Sequence, residues 1–166
     1  MYPDIYLFRH GITFAVKEKH SSYGADIYSA EILPEGIPAI EKMAGFLKDI
    51  PSEANFCSEF LRCRQTTEIV TKITGKQFNI DSRIGEIIHG EDFGLFSGRI
   101  KSFLDGIKEY KGKGNIMICT HGAVMAGIVN WVSTGKFPEE NKYIFPPPGV
   151  VLHVKDGLSE EVFRAD

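Results

Sequence analysis

Two histidines share one local setting. Asp4 to Arg9 is a short apolar, β-prone run that opens onto His10-Gly11, and the uncharged run Asn115 to Cys119 opens through Thr120 onto His121-Gly122. Each run predicts a buried strand entering a turn. Ligands of open α/β sheets lie beyond the carboxyl ends of strands, so two equivalent ends direct both imidazoles toward one crevice. A single histidine of this kind reads as a hydrogen-bonded, partly buried residue. A pair, with Arg9 directly before the first, reads as a shared site. The residue types make an arginine-histidine site, and a small basic pocket for a phosphate needs only about two or three cations.

The sequence excludes several other chemistries. It contains no GxxxxGK[ST] or GxGxxG loop, no HExxH, no paired CxxC, no EF-hand loop and no GxSxG elbow. A cysteine phosphatase needs an arginine six positions after its thiolate, but Cys57, Cys63 and Cys119 are followed there by Cys63, Ile69 and Met125. No metal-ligand cluster is apparent, so neither a metal nor a cofactor is expected.

The elements that must position these residues alternate along the chain. After the first run, Ile12 to Leu33 shows no period and reads as loop. Ile37, Ile40, Met43, Ala44 and Leu47 fall at helical spacing after Pro38, and Ala54 to Cys57 reads as a second strand. Phe60 to Ile73 predicts a helix stopped by Gly75, Gln77 to Ile80 a third strand, and Ile100, Phe103, Leu104 and Ile107 a further helix. Gly114 to Gly135 runs 22 residues without Asp, Glu, Lys or Arg. Asn115, His121, Asn130 and four glycines make a buried strand and helix a better reading than a membrane span. Val150 to Val154 and Glu161 to Phe163, around Asp156-Gly157, predict a closing antiparallel hairpin. This order implies an α/β sandwich with a mostly parallel sheet. At 166 residues, with no linker or repeat, residues 1–166 are expected to form a single domain. The 19 Lys+Arg against 22 Asp+Glu, net charge -3, argue against a broad basic nucleic-acid surface. Three cysteines, no signal-like amino-terminal segment and no membrane span point to a reducing, cytoplasmic setting.

Four segments then carry a specific resemblance. Arg9-His10-Gly11-Ile12-Thr13 is similar to the R-H-G-x-T signature of the histidine phosphatase superfamily, the phosphoglycerate-mutase-like proteins. Ser58 through Arg62 to Gln65-Thr66 resembles its S-x-x-x-R-A-x-Q-T segment. Glu86-Ile87 with Gly90-Glu91 and Gly94 resembles E-I-x-x-G-E-x-x-G, and Ile118 to Gly122 resembles the motif of the second histidine. The four occur in the family's order. The resemblance implies a three-layer α/β/α sandwich and a site for phosphoryl transfer made of Arg9, His10, Arg62, Glu86 and His121. In that reading His10 is the nucleophile, Glu86 the acid, and Arg9, Arg62, His121, Thr13 and Gly122 contact the phosphate.

Some positions keep two readings. Glu91 and Asp92 compete with Glu86 as the acid. Thr13 either touches phosphate or holds its loop, and His89 is open to a substrate contact. Arg64 reads as an exposed helix residue, and His20 and His153 as surface or structural. The chain departs from the family pattern where Phe14-Ala15-Val16 supplies no asparagine after the first motif, and where Asp92-Phe93 replaces a Trp-Glu pair. Phe93 to Gly98 also resembles the acidic motif in another register, which leaves the lid geometry open. Three functions follow. The first is a metal-independent phosphatase for a phosphorylated small molecule or a phosphoprotein, including a phosphohistidine domain. The others are a phosphoglycerate mutase and a non-catalytic phosphate-binding module. Only 34 residues separate Glu86 from His121, too few for the mutases' long insertion, which favours hydrolysis. Nothing in the sequence sets an oligomeric state.

Overall fold

Along the first strand Leu7 packs to one side and Phe8 to the other, and along the fourth Ile116 and Ile118 oppose Met117 and Cys119. This period of two feeds two separate cores across one sheet. The computed structural model describes residues 1–19 and 23–166; His20 lies outside the described residues. Strands β1 (Ile5–Arg9), β2 (Ala54–Cys57), β3 (Asn79–Ile80) and β4 (Ile116–Thr120) are parallel, and the hairpin β5 (Val150–Lys155) and β6 (Leu158–Arg164) adds to β1 antiparallel. The order across the sheet is β3-β2-β4-β1-β5-β6.

The helices are α1 (Phe14–Lys17), α2 (Ile37–Lys48), α3 (Leu61–Thr74), α4 (Phe93–Ile107) and α5 (Gly122–Thr134). α2 and α3 cover one face through Ile40, Met43, Leu47, Cys63 and Val70; α4 and α5 cover the other through Ile100, Phe103, Leu104, Val124 and Ile128. With helices on both sides, all five residues of β4 are buried, which is why that stretch carries no charge. The result is the three-layer α/β/α sandwich with a mostly parallel sheet. Asp156 and Gly157 both adopt positive φ (50° and 80°), the geometry of a two-residue hairpin turn. Among the described residues no helix is long and apolar enough to cross a membrane.

Three elements differ from the sequence reading. The segment Ile12 to Leu33 is not all loop: Thr13 caps the short helix α1, accepting from the Val16 amide at 3.4 Å. Four residues are too few to display a helical period. The third strand shrinks to Asn79–Ile80 because only these pair with Phe56 and Cys57, at an exposed edge. Helix α4 begins at Phe93, seven residues before Ile100, with Asp92 as its cap accepting from the Leu95 amide at 2.8 Å. Gly94 and Gly98 in its first turns obscure the apolar period.

Candidate active site

The register of the sheet brings the two histidines together. β1 and β4 are parallel neighbours with Arg9 opposite Thr120, so His10 and His121 are the next residues on adjacent chains at the carboxyl edge. The His10 amide donates to the Thr120 carbonyl at 3.1 Å, and the ring centroids stand 5.3 Å apart. Both rings are fully buried.

The His10 Nδ1 lies 2.8 Å from the Gly11 carbonyl. A carbonyl only accepts, so Nδ1 carries the proton and Nε2 keeps its lone pair, with no hydrogen-bond partner. Burial, with Arg9 and Arg62 adding to it, pushes the His10 pKa well below its ordinary value, so the ring is neutral. The turn itself is tied to α3: the Gly11 amide donates to Thr66 Oγ1 at 2.8 Å, and that hydroxyl donates to the Arg62 carbonyl at 2.7 Å.

His121 stands just before the first turn of α5. Its Nε2 is 2.7 Å from Ser58 Oγ, which also receives the Phe60 amide at 3.3 Å. Ser58 Oγ can accept from Phe60 and still donate to Nε2, and in the tautomer where it does so the proton of the neutral ring sits on Nδ1. That atom has no hydrogen-bond partner and lies 3.7 Å from Glu86 Oε2. Burial, then His10, Arg62 and Arg9, lower the His121 pKa well below its usual value.

Arg62 is fully buried, an expensive place for a cation without compensating contacts. Tyr23 lies over its guanidinium at 3.9 Å, Phe60 at 5.2 Å, and the Ile27 carbonyl accepts from Nη1. Nε and Nη2 keep no hydrogen-bond partner, although Nη2 lies 3.8 Å from Glu86 Oε2. Arg9 is crossed by the Phe145 ring at 4.9 Å, its Nε is likewise unpartnered, and burial lowers its pKa. The buried, unsatisfied donors of the two arginines suit an oxyanion of several oxygens, and the unshared lone pair of His10 Nε2 suits its electrophilic centre.

Glu86 follows a 3-10 turn at Ser82–Ile84, whose Ile84 carbonyl accepts from Thr120 Oγ1 at 2.6 Å. Arg99 of α4 holds this loop, donating to the carbonyls of Arg83, Gly85 and Glu86 at 2.7–2.9 Å and to the Glu91 carboxylate at 2.7 and 2.9 Å. Glu86 Oε1 accepts from the Ile87 amide at 3.0 Å. Burial raises the Glu86 pKa, opposed by Arg62, that amide and Arg9. Among the three carboxyls open at the sequence level, Glu91 is thus tied to Arg99 and Asp92 caps α4, while Glu86 alone faces His121 and Arg62.

Thr13 is buried with its hydroxyl 2.8 Å from Tyr23 Oη, so its contacts run to the loop that carries Tyr23. A Cβ on Gly122 would stand 2.4 Å from the Phe145 ring, so the close approach of that ring to α5 requires glycine. His153 stacks on Tyr6 at 4.5 Å and meets Asp4 at 3.2 Å, far from the histidine pair in the sheet, and Arg64 is exposed. Above the buried histidines opens a cleft of about 910 Å³ lined by Arg9, Glu86, Gly122, Tyr143 and Phe145 among others, with exposed His89 at its rim. Sequence reasoning missed Ser58 as a partner of His121, although it stands in a quoted motif, and missed Arg99, Tyr23, Tyr143 and Phe145, which no motif marks.

The sequence profile of the histidine phosphatase superfamily (branch 1) matches residues 5–95. No curated protein sequence matches the chain. Among solved structures, the alpha-ribazole phosphatase from Shigella flexneri superposes with a TM-score of 0.74 at 18% identity, covering 98% of this chain and 96% of that one. The phosphoglycerate mutase from Bacillus anthracis str. Sterne gives 0.71 at 18%, covering 99% and 93%. The protein histidine phosphatase SixA, complexed with tungstate, gives 0.62 at 18%, covering 95% and 93%. With its profile spanning more than half the sequence and the same sandwich throughout, the chain belongs to the histidine phosphatase superfamily.

Proposed function

We propose that residues 1–166 act as one catalytic domain that hydrolyses a phosphomonoester through a phosphohistidine on His10, with no metal ion. The observation that carries this reading is the unpartnered Nε2 of a neutral His10 whose Nδ1 proton is held by the Gly11 carbonyl, beside two arginines with unused donors. Phosphoryl transfer needs mainly positioning and charge stabilisation, and Arg9, Arg62 and the Nδ1–H of His121 supply donors for the equatorial oxygens. The free amides at the start of α5, from Gly122 on, add to them. Thr13 contributes through Tyr23, which packs on Arg62.

In the first step the Nε2 lone pair attacks phosphorus, the bond to the ester oxygen breaks, and protonated Glu86 gives its proton to that oxygen. In the second, the Glu86 carboxylate takes a proton from water, the water oxygen attacks phosphorus, and the N–P electron pair returns to Nε2. The raised pKa of Glu86 fits both roles. Between Glu86 and His121 the chain builds only α4, a turn and β4, so no insertion roofs the cleft, which favours water as the acceptor over return of the phosphoryl group. The same open mouth supports a phosphohistidine on a protein as a second reading.

Rapid quenching of a labelled alkyl phosphate reaction tests the reading. An acid-labile, base-stable label should appear on His10 and vanish in His10→Ala. A label on cysteine or serine, or turnover by His10→Ala at the parent rate, refutes it.

A further inference from the structure

The cleft above the histidines receives whatever the phosphate is attached to, and its charge is one-sided. Beyond Arg9, which faces the phosphate, the charged side chains lining it are Glu86 and Glu140. No lysine lines the cleft among the described residues; Lys142 and Lys17 lie outside it in exposed ion pairs with Glu139 and Glu35, and Arg99 is held by Glu91 and three carbonyls. Tyr143 adds a hydroxyl that is buried, has no hydrogen-bond partner, and is raised in pKa by burial and by the charges of Glu140 and Glu86. The rest of the lining is largely apolar, with Val16, Ile27, Ile87, Ile88 and Phe145, and carries the uncharged polar groups of Tyr23 and Asn141 and the rim imidazole of His89.

A second anionic group on the substrate would lose hydration in this cleft and meet the Glu140 carboxylate, joined by Glu86 whenever that group is ionised, and no lysine or arginine other than Arg9 lines the cleft among the described residues. An uncharged or cationic group meets no such penalty, a neutral acceptor finds the Tyr143 hydroxyl, and a ring finds apolar walls. We propose that this cleft selects phosphate monoesters whose alcohol carries no second negative charge and presents an apolar, ring-sized face. The proposal rests on the phosphatase reading above and excludes phosphorylated sugar-acids and bisphosphates as preferred substrates.

Phosphonates separate the two claims, because they bind without being hydrolysed. Benzylphosphonate, 4-carboxybenzylphosphonate, 4-(aminomethyl)benzylphosphonate and 2,3-dihydroxypropylphosphonate are titrated into the intact protein at pH 8, where imidazoles are neutral. The carboxylated probe should bind at least about tenfold more weakly than benzylphosphonate at low salt, and the aminomethyl probe within about threefold of it. The dihydroxypropyl probe, neutral but without a ring, should also bind about tenfold more weakly. Added salt, or Glu140→Lys, should reduce the carboxylate penalty by about three- to tenfold. Equal or tighter binding of the carboxylated probe overturns the charge selection, and equal binding of the dihydroxypropyl probe overturns the apolar face. If the predicted ranking holds but benzyl phosphate is not hydrolysed and no phosphohistidine forms, the phosphatase reading fails and the selectivity stands. If none of the probes binds, both fail.

Discussion

Replacing Glu86 by glutamine separates proton transfer from phosphate binding. The side chain touches the site through one oxygen, Oε2, 3.7 Å from His121 Nδ1 and 3.8 Å from Arg62 Nη2, and neither contact is short enough to be a hydrogen bond that holds those groups in place. The amide retains an oxygen for the Ile87 amide, so the loop should keep its shape. An alkyl ester then loses its proton donor, and general acid catalysis of this kind is worth about 10²–10⁴ in rate. A p-nitrophenyl ester leaves as a stable anion and should lose less than about tenfold in phosphoenzyme formation. Phosphate affinity should move the other way. An ionised carboxylate close to the bound anion repels it, and with the side chain 16% exposed that repulsion is screened to about 1 kcal/mol, so inorganic phosphate should inhibit the variant equally or up to about fivefold more tightly. The kcat/KM for both esters, which reports phosphoenzyme formation and not the shared hydrolysis of the phosphohistidine, with phosphate as competitive inhibitor, reads all three quantities. Equal losses on the two esters refute the acid role, and loss of phosphate inhibition refutes the claim that Glu86 is not part of the anion's grip.

Arg99 positions the Glu86 loop without facing the phosphate. Arg99→Lys should lower kcat for alkyl esters by at least tenfold with KM nearly unchanged, and a larger effect on KM than on kcat counts against it. Gly122→Ala must displace the Phe145 ring from Arg9; KM should rise about three- to tenfold while thermal stability holds or improves, because alanine favours the helix. Below pH 6.5 the unfolded chain binds protons that buried His10 and His121 refuse, so stability present above that pH should decline as pH falls toward their lowered values. Glu86, raised in the fold, acts with the opposite sign, its share being lost as pH rises through its pKa. Thermal melts from pH 7.5 to 5.5 should show a falling Tm that flattens in His10→Asn/His121→Asn; an unchanged slope refutes the assignment.

The sandwich is readable in the sequence because its strands and helices carry different periods, and the hairpin because Asp156-Gly157 suits a tight turn. The histidine pair is readable as two strand ends, but that β1 and β4 are neighbours is a property of the sheet that no local pattern states. Arg62 and Glu86 come from motif resemblance; alone, each reads as a solvated charge. Arg99 stays hidden for that reason, since its partners are carbonyls 13 to 16 residues away. Tyr23, Tyr143 and Phe145 are hidden because an aromatic ring placed by long-range packing looks in sequence like any other apolar residue. The choice among Glu86, Glu91 and Asp92 depends on a helix cap and an arginine that only the folded chain brings near.

The parallel pairing of β1 with β4 also has a kinetic side. Ile5 lies opposite Ile116, so the two halves of the histidine pair meet only after a loop of roughly 110 residues has closed, at an entropic cost of about 4 kcal/mol. Long-range parallel pairing of this kind is slow to nucleate. During synthesis β1 emerges first and must wait, its apolar edge uncovered, until the ribosome has released residues past Thr120. The chain therefore acquires His10 early and the strand end beside it late: a nascent or truncated chain ending before β4 has His10 without His121 or the strand that buries it, and it should be handled by chaperones as an unpaired strand.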